Sequence, residues 1–448
     1  MAWPDVSGRR VGIWGLGREG RAALRWLESR SPAQVVLVDD DPAAAADLGL
    51  PVLGGDAGTV ALSATDLVIK SAGISRYDPR AEAIRAAGVP VTTGAALWMS
   101  CHAPRTVGVT GSKGKSTTSS LVHHILAHLG VRAVLAGNIG IPLLDLDTDG
   151  VERFVVELSS YQCAELTESP EVAVVTALFP EHVNWHGSVE QYYNDKLNIV
   201  SHGPWAVVYN ALDETLRAVL AARTVDAEVI AVGRPDGPHV SDGEYRFGAE
   251  RLFGTEVCSL RGRHNQVNVC LAIGAVAATG VDCVAARAEI AAALESFAAL
   301  PHRLATIEDA AAGITFVDDS LSTAPQATIA ALEAFSTDPV CVIVGGEDRG
   351  LDYAPLRDYL LSARRSVTLI GVPVSGDRIL ATVADVPGVS TRSVDGVRAA
   401  VAACREVLSS GGLALLSPGA PSYSQFRNYE DRSAEFRAAI TDTAPGTK

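Results

Sequence analysis

The run Gly108-Val-Thr-Gly111-Ser112-Lys113-Gly114-Lys115-Ser116-Thr117 has the residue types needed to hold a phosphorylated nucleotide. An apolar stretch, Thr106 to Val109, leads into a glycine-containing loop, and a helical pattern rich in Ser, Leu and His follows. Glycines let backbone N–H groups turn toward phosphate oxygens, and the first turn of the helix adds positive potential. Lys115 is then placed to meet the β- and γ-phosphates of ATP, and the Ser116 hydroxyl to ligate Mg²⁺. A chance lysine in a glycine-rich loop is the plain alternative, but strand, loop, Gly-Lys-Ser and helix occur in the required order. Counted from Gly111 the loop is shorter than GxxxxGK[ST]; counted from Gly108 it is one residue longer. That departure points away from GTPases and kinases.

Other reactive groups are less decisive on their own. Glu157 ends the apolar run Phe154 to Glu157 and heads Glu157-Leu-Ser-Ser-Tyr-Gln162. A carboxylate there can bind Mg²⁺ opposite the phosphate loop, or it can belong to a helix-capping Glu–Ser cluster. Phe179-Pro-Glu-His182-Val-Asn-Trp-His-Gly187 precedes Tyr192-Tyr-Asn-Asp-Lys196. Imidazole and acidic groups beside a lysine suit a metal and phosphate site, although Lys196 by itself reads as a solvated helix lysine. Gly15-Leu16-Gly17-x-x-Gly20, with Asp39 and Asp40 about twenty residues on, has dinucleotide spacing and alone would predict NAD. Asn265 and Asn268, in Gly262-Arg-His-Asn-Gln-Val-Asn268, either hydrogen-bond ATP or form an N-cap and an exposed polar face.

The elements that must position these groups are α/β throughout. Short apolar runs at Val11–Trp14, Val35–Val38, Leu67–Ile69 and Val91–Thr93 alternate with amphipathic helices. A second series follows at Thr106–Val109, Ala133–Leu135, Phe154–Glu157, Val172–Thr176, Ala206–Tyr209 and Val229–Val232, then a small hairpin excursion in Pro235–Gly254 and a helix from Asn265 to Ala278. A third runs through Ile314–Val317, Val340–Val344, Val367–Ile370 and Leu413–Leu416. Each series predicts its own open parallel sheet, with ligands at the carboxyl ends of the strands and in clefts between domains. With 448 residues and roughly 150 per domain, the expected divisions are 1–103, 104–301 and 302–448.

Hydrophobic content of 48% and charged content of 20% read as a folded globular protein without a membrane span. The N-terminal residues lack a signal core, so a cytoplasmic protein is expected. A net charge of −15 disfavours nucleic acid as a partner, while leaving room for a small anion on a few amides and a lysine. Seven scattered cysteines without a CxxC pair argue against both a disulfide framework and zinc, and predict buried thiols.

Taken together, these motifs resemble the Mur ligase family over nearly the whole chain. The loop Gly111-Ser-Lys-Gly-Lys-Ser116 is similar to the G-[ST]-[NK]-G-K-[ST] shared by Mur ligases and folylpolyglutamate synthases, and Glu157-Leu-Ser-Ser-Tyr-Gln162 to the family's E-x-S-S-[FY]-Q. The resemblance implies three domains: a Rossmann-like N-terminal domain, a central P-loop ATPase-like domain and a Rossmann-like C-terminal domain. It implies ATP and Mg²⁺ as cofactors. Ser116, Glu157 and His182 would be metal ligands, and Lys196 a lysine carbamylated by CO₂ into a further oxygen ligand. Asn265, Asn268, Arg303 of Pro301-His302-Arg303 and Asp319 of Asp318-Asp319-Ser320 would attend ATP. Gly15, Leu16, Gly17 and Asp39 would hold a uridine diphosphate instead of NAD, with Ser71 and Gly73 of Lys70-Ser-Ala-Gly73-Ile-Ser75, where Ala72 replaces the usual proline. Asn138, in Gly137-Asn-Ile-Gly140, would face the pyrophosphate.

The tail Leu416-Ser-Pro-Gly-Ala-Pro-Ser422-Tyr-Ser-Gln-Phe426 resembles the glutamate-adding members, which implies UDP-N-acetylmuramoyl-L-alanine and glutamate as substrates. In Asp319-Ser-Leu-Ser-Thr323 leucine stands where the D-glutamate pattern has lysine, Arg349 replaces a second lysine, and Tyr429 a phenylalanine. Arg grips a carboxylate as a planar fork and Lys does not. These departures resemble the branch that adds L-glutamate, with Thr323, Arg349, Ser422 and Tyr429 positioning it; D-glutamate, which carries the same charges, is the alternative. A folylpolyglutamate synthase leaves the Gly15-Gly17-Gly20 run without a role, a nucleotide switch predicts no ligation, and a dehydrogenase rests on that run alone. A monomer is expected.

Overall fold

The computed structural model describes residues 3, 5–138, 141–409 and 411–443. Two compact units are present, Met1–Cys258 with Val267–Phe297, and Ser259–Gln266 with Ala298–Lys448. The first holds two parallel sheets. β1 (Arg10–Trp14), β2 (Gln34–Val38), β3 (Val52–Leu53), β4 (Leu67–Lys70) and β5 (Val91–Thr93) lie in the order β3-β2-β1-β4-β5. Alternate side chains leave a strand on opposite faces. Accordingly Val11, Ile13, Leu37 and Ile69 enter one buried cluster, and Trp14, Val36, Val38 and Val68 another. Both faces are covered by helices, which is why the strands read as apolar runs rather than as alternating ones.

β6 (Thr106–Thr110), β7 (Ala133–Gly137), β8 (Arg153–Glu157), β9 (Val172–Val175), β10 (Ala206–Asn210) and β11 (Glu228–Val232) form the second sheet, β11-β10-β9-β6-β8-β7. β6 is flanked by β8 and β9, so the phosphate loop, Glu157 and the segment after β9 emerge together at the carboxyl ends. The two sheets are joined in one unit in part by the short turn Leu143–Asp145, where Asp145 Oδ2 meets Arg25 Nη2 at 2.7 Å. The expected hairpin is instead a three-stranded antiparallel sheet of β12 (Pro238–Ser241), β13 (Glu244–Phe247) and β14 (Glu250–Gly254).

In the second unit β15 (Ala305–Asp309), β16 (Ile314–Asp318), β17 (Val340–Val344), β18 (Val367–Gly371), β19 (Val389–Ser393) and β20 (Gly412–Leu416) lie in the order β15-β16-β20-β17-β18-β19. β15 runs antiparallel to β16, so this sheet is mixed rather than purely parallel. Both edge strands, like the two-residue β3, escaped the sequence reading because they are half-exposed and carry polar residues, Ala-Thr-Ile-Glu-Asp and Val-Ser-Thr-Arg-Ser. All seven cysteines are unbridged, and all but Cys101 are buried. Among the described residues no helix is long and apolar enough to cross a membrane.

Candidate active site

The phosphate loop is built by conformations that only glycine adopts easily. Gly111 has φ 146° and Gly114 φ 91°. A Cβ on Gly111 would lie 2.0 Å from Thr176 Oγ1, and one on Gly114 2.6 Å from Asn268 Oδ1. The segment after β9 fixes the loop. Ser112 N–H donates to Ala177 O at 2.8 Å, its hydroxyl to Phe179 O at 2.8 Å, and the Thr176 hydroxyl reaches Lys113 O. The helix Lys115–His128 begins immediately, with Ser116 and Thr117 buried in its first turn. Lys115 Nζ folds back over the loop, donating to Gly111 O at 2.8 Å and Ser112 O at 3.3 Å.

Lys196 arrives at the same place from the end of the helix Val189–Lys196 and donates to Gly111 O at 3.0 Å. It is 2% exposed, which overturns its reading as a solvated helix lysine. Nothing in its immediate sequence signals this, because the burying groups come from elsewhere in the chain. Burial above all, and then the charge of Lys115, pulls its pKa from 10.5 to about 7. A large fraction of the amine is therefore neutral near pH 7.

Glu157 closes β8 and is 1% exposed. Its Oε1 accepts from Asn138 Nδ2 at 2.7 Å, while Oε2 has no hydrogen-bond partner among the described residues. Asn138 thus turns its amide to the carboxylate of the central sheet, and Gly140 of the same motif lies outside the described residues. The capping alternative for this segment also holds, one step further on: Ser159 and Gln162 form a reciprocal capping box on the helix Ser160–Cys163. His182 precedes the helix Val183–His186 with φ 53°, its ring 5.1 Å from Tyr161. No three His, Cys, Asp or Glu side chains converge as a metal cluster among the described residues. A metal here would therefore draw on Glu157 together with oxygens outside that set, such as a hydroxyl, phosphate oxygens and water. The partnerless buried oxygen of Glu157 and an oxygen-donor set fit a hard cation such as Mg²⁺.

Sequence reasoning missed a buried chain beside this site. His186 Nδ1 is 2.6 Å from Asp195 Oδ2, and its Nε2 is 2.9 Å from Ser160 Oγ. All three residues are buried. The histidine, one helical turn after His182, was the available signal.

Around β1 the glycine run forms a tight turn. Gly15 has φ 89°, and a Cβ on Gly20 would lie 1.8 Å from Gly15 O. Leu16 N–H donates to Asp39 Oδ2 at 2.5 Å, and Ser71 Oγ to Gly15 O at 2.8 Å. Gly15, Leu16, Asp39 and Ser71 are thereby assembled at the carboxyl ends of β1, β2 and β4, with Gly17 at the start of the helix Arg18–Glu28 and Gly73 on the loop after β4.

Asn265, in the second unit, and Asn268 are both buried rather than an exposed polar face. Asn265 Nδ2 donates to Arg261 O at 2.7 Å, whereas Asn268, in the first unit, accepts from Thr118 Oγ1 at 3.3 Å. Asp319 accepts from Ser417 Oγ at 2.8 Å. Arg303 follows His302, whose Nδ1 is 2.9 Å from Asp318 Oδ2 and whose ring is 5.8 Å from that of Tyr429. Ser422 is buried, and its carbonyl accepts from Gln425 and Phe426 N–H. Thr323 lies in the turn before the helix Pro325–Glu333. Arg349 is paired with Glu347 at 2.7 Å and stands 5.9 Å from the ring of Tyr423, an exposed residue the sequence reading passed over. Arg432 was also missed, since an arginine in a polar helix reads as solvent-facing. It is 1% exposed and donates to Ser320 O at 2.7 Å, Ala420 O at 3.1 Å and Ser320 Oγ at 3.2 Å.

Comparison with known proteins bears on this arrangement. The Mur ligase middle domain matches residues 109–276. An enzyme from Micromonospora sp. named UDP-N-acetylmuramoyl-L-alanine–L-glutamate ligase is 48% identical, with 99% of each chain covered. One of the same name from Salinispora tropica is 47% identical, covering 99% of this chain and 100% of that one. Among solved structures, MurF from Acinetobacter baumannii shares the fold with a TM-score of 0.60 at 16% identity, over 97% of this chain and 92% of that one. The chain belongs to the Mur ligase family, grouped with the members that carry the L-glutamate ligase name.

Proposed function

We propose that this protein is an ATP-dependent ligase joining L-glutamate to UDP-N-acetylmuramoyl-L-alanine in peptidoglycan precursor synthesis, through an acyl phosphate. The relatives at 47% and 48% identity carry that activity in their names. The observation that carries the chemistry is the convergence of Lys115 and Lys196 on Gly111 O.

The L-alanyl carboxylate is a poor electrophile. Its oxygen attacks the γ-phosphorus of ATP, ADP leaves, and the resulting acyl phosphate has a good leaving group. Glutamate's amine then attacks the acyl carbon, and phosphate departs with its electron pair as the amide forms. Gly111, Ser112, Lys113 and Gly114 would cradle the phosphates through backbone N–H groups, with Lys115 at the transferred one and Thr117 in the same first helical turn. Asn265, Asn268, Arg303 and Asp319 would hold the rest of the nucleotide. Ser116, Glu157, His182 and Lys196 would hold Mg²⁺, which when bound offsets charge on the phosphoryl oxygens. A neutral Lys196 amine can add to CO₂ and lose a proton, giving a carbamate, and its lowered pKa supports that modification.

Gly15, Leu16, Gly17, Asp39, Ser71 and Gly73 would hold the uridine diphosphate, and Asn138, beside Glu157, would face its pyrophosphate. Thr323, Arg349, Ser422 and Tyr429 would position glutamate, Arg349 exchanging Glu347 for a substrate carboxylate. We further propose the division 1–103, 104–301 and 302–448, a cytoplasmic location, and a monomer without nucleic-acid or membrane partners. The decisive test supplies L- or D-glutamate with ATP and UDP-N-acetylmuramoyl-L-alanine, and detects product by mass. Product from L-glutamate is expected. Product from D-glutamate only would overturn the stereochemical assignment, and product from neither, the function.

A further inference from the structure

The loop after β4 does more than border the glycine run: its successive residues grip the segment that carries the reactive lysine. Gly73 O accepts from Trp185 Nε1 at 2.9 Å, and Ser75 Oγ donates to Trp185 O at 2.9 Å. Arg76 Nη1 reaches Ala164 O. Tyr77 hydroxyl donates to Asp195 Oδ1 at 2.7 Å, and its ring meets Trp185 edge-on at 6.1 Å. At the root of the loop, Lys70 Nζ is 2.8 Å from Glu165 Oε1, a pair almost wholly buried. Glu19 adds a second tie, accepting from Ala72 N–H and from Gln162 Nε2, each at 2.8 Å.

Tyr77 is the member of this clasp that reaches deepest. Asp195 is 4% exposed and adjoins Lys196 in the last turn of their helix. One of its oxygens takes the Tyr77 hydroxyl and Gln191 Nε2 at 2.9 Å; the other takes His186, which continues to Ser160. A carboxylate held from both sides cannot swing, so the helix end bearing Lys196 is fixed in rotation. Remove the phenol and one oxygen loses its long-range partner, leaving Gln191, a neighbour on the same helix, which moves with it. Burial, and then Asp195 itself, raises the phenol pKa, so the group remains a donor.

We propose that Tyr77 is a positioning residue that makes the docking of the uridine-side loop a condition for the alignment of Lys196. The loop that would hold one substrate thereby sets the geometry of phosphoryl transfer to that substrate. This rests on the role given to Lys196 above, and it reaches to residues which that role does not involve.

The test is Tyr77→Phe, which keeps the ring against Trp185 and removes only the hydroxyl, with Tyr77→Ala beside it. Loss of one hydrogen bond to a charged group predicts a fall in kcat of about tenfold for Tyr77→Phe. KM for ATP and for UDP-N-acetylmuramoyl-L-alanine should stay within about twofold, and the melting temperature should fall by only about 2–6 °C, the cost of one buried hydrogen bond. A phenylalanine variant with wild-type kcat, or one in which only KM for the acceptor rises, overturns the proposal. If Tyr77→Ala unfolds, Tyr77→Phe still decides. The Lys196 reading is checked separately on the wild-type protein, by a carbamate carbon signal in NMR after equilibration with ¹³C-bicarbonate. Its absence would sink that reading whatever Tyr77→Phe does.

Discussion

Lys115 and Lys196 come from different helices and donate to one oxygen, the carbonyl of Gly111, over 2.8 and 3.0 Å. Two ammonium groups on one buried acceptor repel each other, and the more buried of them gives up its proton more readily. The arrangement therefore prepares Lys196 as a neutral amine while Lys115 stays beside it.

In CO₂-free buffer, where Lys196 is the free amine, it should make stability depend on pH. Its native pKa, about 7, lies below the ordinary 10.5, so between these values the unfolded chain binds more protons. Stability from this group is complete above the upper value, declines as pH falls through the window, and is gone below about 7. Lys196→Met should flatten the melting-temperature slope between about pH 7 and 9 and raise the melting temperature at neutral pH, while ligation is lost. An unchanged slope would assign the effect to another group.

Glu157→Gln keeps the hydrogen bond to Asn138 within reach but removes the negative charge. Activity at fixed low Mg²⁺ should fall by at least about tenfold and recover partly as Mg²⁺ is raised, with no loss of melting temperature, because an unpartnered buried charge has been relieved. Magnesium titration of the rate checks this. A variant with wild-type Mg²⁺ dependence would remove Glu157 from the metal site.

Gly111→Ala places a Cβ 2.0 Å from Thr176 Oγ1 at φ 146°. Thr176 cannot simply rotate away, since its hydroxyl ties Lys113 O and Thr110 O. The expected cost is of order 1–3 kcal/mol in denaturant unfolding, with weakened binding of ATP by calorimetry. Unaltered ATP affinity in a folded variant would show that the loop does not need this conformation.

Arg432 fixes the turn around Ser320 to the start of the helix Tyr429–Asp442. Burial lowers its pKa to about 10, and Asp318 and Asp319 oppose that shift, so it stays charged at neutral pH. Arg432→Met strands two carbonyls and should destabilise the protein by about 3–5 kcal/mol, by urea unfolding. Arg432→Lys should recover only part of this, because an ammonium cannot span the same three acceptors as a planar fork. Full recovery by lysine would mean that charge alone matters there.

Much of this protein is legible along the chain. The central strands of all three large sheets are short apolar runs because both faces are buried, and the phosphate loop is a local object whose glycines, lysine and helix start adjoin in sequence. The exposed edges β15 and β19 were not legible, since a half-solvated strand needs no apolar run. Nor was it legible that Glu157, on the neighbouring strand, takes the amide of Asn138.

What the sequence determined by itself, then, is the set of elements and the reactive groups at their ends, because backbone propensity, burial pattern and loop geometry act between near neighbours. Only the tertiary structure decided the state of those groups. The pKa of Lys196 is lowered by surroundings assembled from distant segments, and Tyr77 meets Asp195 across a sequence separation of 118. Desolvation and Coulomb interaction depend on distance in space, and that distance is set only when the sheets have packed.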